Sequence, residues 1–169
     1  MRIEAPLPTT PAVSITPPSH LEIRPEQGEI GSALVWLEGQ TESAGLPMRA
    51  QFALNLGLDE TLANIVMHGF REQPGHERTA GTGEPLVRIE CSSSGAGFDL
   101  VVRDNGVAFD PTRQEPGALA QSLEDATPGG HGLRLMRHFL HEIRYERIAG
   151  WNILHMHLRR DGGAQPCAD

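Results

Sequence analysis

Two pairs of short, apolar-rich stretches, each joined by a tight turn, constrain this chain most. Residues 86–91 and 98–103 flank a Ser/Gly-rich turn, and residues 143–148 and 152–158 flank Ala149-Gly150. Strands joined so closely must run antiparallel. A further alternating stretch, 20–24, reads as a short first strand. Two stretches of helical period precede the first hairpin. Residues 26–42 carry Ile30, Ala33, Leu34 and Leu37, and Gly45 and Pro47 end that helix. A second helix starts near Met48 and stops at Gly69, with Met48, Phe52, Leu58, Leu62, Ile65 and Val66 as its expected apolar stripe. A third opens at Gly129-Gly130-His131-Gly132 and runs through Leu133, Leu135, Met136, Phe139 and Leu140. A mostly antiparallel sheet with helices on one face is an α+β two-layer sandwich.

The ends and two interior segments stand outside this pattern. Residues 1–18 hold five prolines among Ser and Thr and read as a disordered tail; 161–169 is a polar tail. One domain is expected across 19–160. Residues 71–84 form a Gly-rich loop. Residues 109–128 form a long irregular stretch, and a loop of that length in a compact domain is a lid or disorder. Nothing reaches membrane-spanning length and no secretory signal pattern is present, so a cytoplasmic protein is expected. Cys91 and Cys167 are too far apart for a metal knuckle.

All 14 basic residues counted as Lys or Arg are arginine. A Walker-type phosphate loop and the ordinary protein-kinase fold need a lysine, as does Schiff-base catalysis, so these are excluded. The net charge of −8 argues against a general nucleic-acid binder.

Three short motifs follow one another. Glu60, Asn64 and His68 are four apart on the second helix, on the side that also carries Ala53 and Gly57. That side lacks bulk and leaves room for a ligand. Asn64 offers an amide oxygen suited to Mg²⁺, and Glu60 can take a proton from a hydroxyl. Asp104-Asn105-Gly106 ends a strand: Asp104 can accept from an exocyclic amine, and Gly106 lets the chain turn and a planar ring approach. Gly129 to Gly132 presents backbone N–H groups at a helix start, a ready anion site. Read singly, each motif has a plain alternative: a solvated helix face, an ordinary Asp-Asn-Gly turn and a flexible hinge. His138 with His141, and His155 with His157, have two-ligand metal spacing, but no third ligand is suitably spaced. Trp36 and Trp151 read as core or interface residues.

In order, these motifs resemble those of the GHKL family of ATP-binding domains, shared by histidine kinases, gyrase and MutL. Within that family the chain is similar to anti-sigma-factor serine kinases of the RsbW type. Residues 59–70 look like the N box, 104–111 like the first glycine box and 130–136 like the second. The resemblance covers about residues 20 to 160. It implies the cofactors ATP and Mg²⁺, with Asn64 on the metal, Asp104 on the adenine amine and Gly106 against the ring. Gly130, His131 and Gly132 would line the triphosphate, residues 109–129 would form the ATP lid, and His68 would lie under the nucleotide. Glu60 would be the general base for a serine or threonine on a partner. The chain departs from the family pattern at Ala108, where a second glycine is usual, and at His155, where a threonine near the adenine is usual.

The resemblance implies a cytoplasmic homodimeric kinase in a partner-switching system. Its substrate would be a STAS-domain anti-anti-sigma protein, and it would also bind a sigma factor or another regulator. Two alternatives stand beside it: a nucleotide-dependent binding module without phosphoryl transfer, and a detached catalytic domain of a histidine kinase.

Overall fold

The computed structural model describes residues 18–70, 83–113 and 140–160. Two helices, α1 (Gln27–Ser43) and α2 (Met48–Asn64), follow strand β1 (Ser19–Ile23). Strands β2 (Val87–Ser93), β3 (Gly97–Asp104), β4 (Glu142–Ile148) and β5 (Trp151–Arg159) complete a five-stranded sheet. The order is β1-β2-β3-β5-β4, and every neighbouring pair is antiparallel. The fold is the expected α+β sandwich, and both hairpins form where the sequence predicts them.

Alternation along the strands sorts side chains into two layers. Val87, Ile89 and Cys91 of β2, Phe98, Leu100 and Val102 of β3, and Leu154, Met156 and Leu158 of β5 are all buried on one face. The register places Ile89 opposite Val102 and Val102 opposite Leu154, so this apolar sheet face is continuous. Both helices cover it and share its core with Ile30, Ala33 and Leu37 of α1 and Leu54, Leu58 and Leu62 of α2. The outer face mixes ion pairs with apolar residues such as Val101 and Ile153. Arg88 pairs with Glu22 at 2.6 Å, His157 with Asp99 at 2.7 Å and His155 with Glu146 at 2.9 Å. Trp36 packs partly buried against the core, whereas Trp151 lies on the outer face with the Arg88 guanidinium 5.1 Å from its ring.

Helix α2 starts where expected, and Leu58, Leu62 and Ile65 of its expected stripe are buried, with Val66 against the core, but the first turns differ. Met48 and Phe52 are 84% and 55% exposed, while Ala53 is fully buried and Gly57 is buried too. The buried positions are Ala50, Ala53, Leu54, Gly57, Leu58, Thr61 and Leu62. Ala53 and Gly57 on the bulk-poor side of α2 are thus covered, and that stretch of the helix is not an open floor. Only its last turn, at Glu60 and Asn64, remains half-buried.

Candidate functional site

The site is built at one end of the sheet, where α2 ends over the turn after β3. Beyond Asn64 the helix widens into a π turn, Ile65–Gly69. A π turn takes more residues per revolution than an α-helix, and such turns are frequent at functional sites. Glu60 and Asn64 stack as expected, and His68 follows them in the π turn. Asn64 Nδ2 donates to Glu60 Oε1 at 3.4 Å, while His68 is exposed in the π turn. The amide nitrogen of Asn64 is thus turned to Glu60, and among the described residues no hydrogen bond falls on its Oδ1. A half-buried amide oxygen beside a carboxylate fits a hard divalent cation such as Mg²⁺.

The π turn is joined directly to the segment after β3. The Gly69 carbonyl accepts from the Val107 backbone N–H at 2.8 Å. Gly106 lies under that carbonyl: a Cβ there would stand 2.3 Å from Gly69 O and 2.8 Å from Asp104 Oδ1. Close backbone approach, not an unusual φ, is what demands glycine at 106. Asp104 is 6% exposed and folds back on its own turn, with Oδ1 accepting from the Gly106 N–H at 2.9 Å. Asn105 is buried as well; its Oδ1 accepts from Leu86 N at 2.8 Å and its Nδ2 donates to Glu84 O at 2.7 Å, which ties the start of β2 to this turn. Burial pushes the Asp104 carboxyl above its ordinary range. Hydrogen bonds from Asn152 and Gly106, and the charge of Arg147, oppose that shift.

Asn152 is the residue that sequence reasoning missed. It sits opposite Asp104 in the β3–β5 register and donates to Asp104 Oδ1 at 2.9 Å. Its other bonds reach Val107, Phe109, Tyr145 and Arg147. Arg147 also donates to the Gly106 carbonyl through both Nη atoms, at 3.3 Å each. A signal was present: Asn152 is in phase with the inward Leu154, Met156 and Leu158, as Asp104 is with Phe98, Leu100 and Val102. Inward polar residues at matching ends of two strands mark a buried polar pair. His155, the expected neighbour of the adenine, lies on the opposite face of β5 with Glu146, away from Asp104.

Ala108 is exposed, so its methyl group displaces no core packing. The start of the expected lid is a short 3-10 turn, Pro111–Arg113. Asp110 holds it: Oδ1 accepts from Thr112 N at 2.9 Å and Thr112 Oγ1 at 2.6 Å, and Oδ2 pairs with Arg113 at 3.1 Å. The remainder of the lid, with Gly130, His131 and Gly132 of the second glycine box, lies outside the described residues. No helix among the described residues is long and apolar enough to cross a membrane.

The structure thus brings Glu60 with Asn64, and Asp104 with Gly106, to adjoining walls linked through Gly69 and Val107. Comparison with known proteins shows the family. Residues 23–158 match the family model for the histidine kinase-like ATPase domain. The chain is 46% identical over 122 residues to the serine/threonine-protein kinase BtrW of Bordetella bronchiseptica, a match covering 72% of this chain and 80% of BtrW. It is similar in fold to the crystal structure of the RsbU and RsbW domains of Rv1364c from Mycobacterium tuberculosis, with a TM-score of 0.52 at 16% identity. That superposition covers 85% of this chain but 32% of the solved chain, so this chain corresponds to about a third of that protein.

Proposed function

The chain belongs to the histidine kinase-like ATPase domain family, and from that membership and its site we propose that it is an ATP-dependent serine/threonine protein kinase of a partner-switching system. Its substrate is a serine or threonine on a STAS-domain anti-anti-sigma protein. A sigma factor or another regulator is its second partner, and it acts in the cytoplasm as a homodimer. The 46% identity to a serine/threonine-protein kinase supports the activity. The observation that carries the site is the join of two walls, Glu60–Asn64 and Asp104–Gly106, through the Gly69–Val107 hydrogen bond.

In this reading Asp104 receives the adenine amine and Gly106 lies against the ring. Asn64 Oδ1 is a ligand for Mg²⁺, which when bound neutralises phosphate charge. Glu60 takes the proton of the attacking hydroxyl as its oxygen bonds to the γ-phosphorus; the bond to the β-phosphate bridging oxygen breaks and ADP leaves. Positioning and charge stabilisation carry the rest of the barrier. Gly130, His131 and Gly132 along the triphosphate, a lid over 109–129 and exposed His68 beside the nucleotide complete the proposal. The two departures from the family pattern do not weigh against transfer, since Ala108 is exposed and His155 faces away from Asp104.

The test is phosphoryl transfer from labelled Mg·ATP to a purified STAS-domain partner, with wild type and Glu60→Gln. Labelled partner with the wild type, and a loss of at least about a hundredfold in Glu60→Gln with ATP binding kept, is the expected result. A wild type that binds both ATP and partner yet transfers nothing is a binding module, and the kinase reading fails.

A further inference from the structure

We propose that Asn152 is a positioning residue that sets which purine the site accepts, by fixing Asp104 as an acceptor for an exocyclic amine. The inference rests on the ATP-site reading above and concerns a residue outside all three sequence motifs.

Asn152 is 5% exposed and its amide is fully used. Oδ1 accepts from Arg147 Nη1 at 2.6 Å, from the Tyr145 hydroxyl at 2.8 Å and from Phe109 N at 3.4 Å. Nδ2 donates to Val107 O at 2.8 Å and to Asp104 Oδ1 at 2.9 Å. Flipping the amide would set its oxygen against a carbonyl and a carboxylate, and its nitrogen against the Arg147 and Phe109 donors. One orientation is therefore locked.

The consequence falls on Asp104. Its Oδ1 takes two fixed donors, Asn152 and the Gly106 N–H, and among the described residues none falls on Oδ2. The carboxylate cannot swing to offer Oδ1 elsewhere. Oδ2 is left as an acceptor for a ring substituent. An amino group at purine position 6 donates to it; a carbonyl at the same position, as in hypoxanthine or guanine, sets acceptor against acceptor. A protonated Asp104 would lose this preference, because its hydroxyl can donate to a carbonyl. Burial favours that protonated form, while the Asn152, Gly106 and Arg147 contacts favour the ionised one. The other groups facing this corner are Tyr145 from β4 and Asp110 from the segment after β3; β2 presents apolar Val87 and the π turn presents Gly69. Asn152 thus fixes the geometry of Asp104 and also favours its charge.

The experiment measures Kd for ATP and for inosine triphosphate, which differ at position 6, across pH 5 to 8 in the full chain. Wild type, Asn152→Ala and Arg147→Gln are compared. Wild type is expected to prefer ATP. In Asn152→Ala the ATP-over-inosine ratio falls at least about fivefold, and the pH at which ATP binding weakens moves upward, while inosine triphosphate affinity changes little. Arg147 is only half-buried, so its replacement leaves no core cavity; the ratio falls in the same direction there, and this variant decides if Asn152→Ala does not fold. An unchanged ratio and pH profile in the variants that fold overturns the role of Asn152. Equal wild-type affinity for the two nucleotides also overturns it, whereas a wild type that binds neither defeats the ATP-site reading itself.

Discussion

The carbonyl oxygen of Gly69 occupies the place where a side chain at residue 106 would begin, 2.3 Å from an added Cβ. Two motifs 37 positions apart are therefore in backbone contact, and neither can shift without the other. Gly106→Ala must push the π turn away or break the Val107–Gly69 hydrogen bond. Overpacking against backbone costs about 1–3 kcal/mol. Chemical denaturation should show a loss in that range, and ATP affinity should fall at least about tenfold. Wild-type stability in the variant would mean that the two segments separate freely.

Asn64 gives its amide nitrogen to Glu60, and among the described residues no hydrogen bond falls on its oxygen, the proposed Mg²⁺ ligand. Asn64→Asp replaces the donor with a second carboxylate 3.4 Å from the first. Like charges so close repel each other and the triphosphate. Isothermal titration should show Mg·ATP binding weakened by about tenfold or more, with the helical circular dichroism signal intact. Unchanged affinity would remove Asn64 from the metal.

Asp104 makes two pH effects run together. Its folded-state carboxyl titrates above the ordinary carboxylate value because of burial. Between the unfolded and folded values the native state binds the extra proton, so this group's contribution to stability falls as pH rises through that window and is flat above it. In the proposed ATP site the adenine amine is received by the ionised form, so ATP-induced thermal stabilisation should grow through the same window. Asp104→Asn should abolish both dependences and weaken ATP binding by about 10-fold to 100-fold. The same pH profiles in wild type and variant would assign the titration to another group.

The β4–β5 turn carries an avoidable cost. Ala149 and Gly150 both have positive φ, 50° and 87°. Glycine accepts that conformation readily, but alanine is disfavoured there by about 1–2 kcal/mol. Asparagine followed by glycine suits this two-residue turn. Ala149→Asn should therefore raise stability by about 0.5–1 kcal/mol, seen as an upward shift of a few degrees in thermal melting. The kinase assay should not change, because the exchange keeps the turn's backbone and with it the Arg147–Asn152 pairing beside it.

The sheet was legible because strand alternation and hairpin turns are local signals. The segments 86–91 and 98–103 needed no tertiary information to be read as neighbours. The face of α2 was not legible in the same way. Met48 and Phe52 are apolar enough to suggest a core position, yet Ala53 and Gly57 take the buried one. Hydrophobicity indicates what gains by burial, whereas close packing of neighbouring segments selects for small size. The π turn after Asn64 was hidden as well, since a sequence read at constant helical period does not show where a turn widens. The three motifs pointed to the family, but Asn152, a single polar residue in a strand, stood out only through its register with Asp104.

The last strand among the described residues is not at the edge of the sheet. β5 lies between β3 and β4, so β4 joins the sheet only once β5 has been made. Arg160, just beyond it, reaches back to the Ala44 carbonyl, a contact spanning 116 positions. A chain emerging from the ribosome can form α1, α2 and the β2–β3 hairpin early, but in that state Asp104 lacks its Asn152 partner. Long-range pairings of this kind slow folding. They also mean that an incomplete chain holds the motifs without the corner that joins them, so nucleotide binding during refolding should report on the final step.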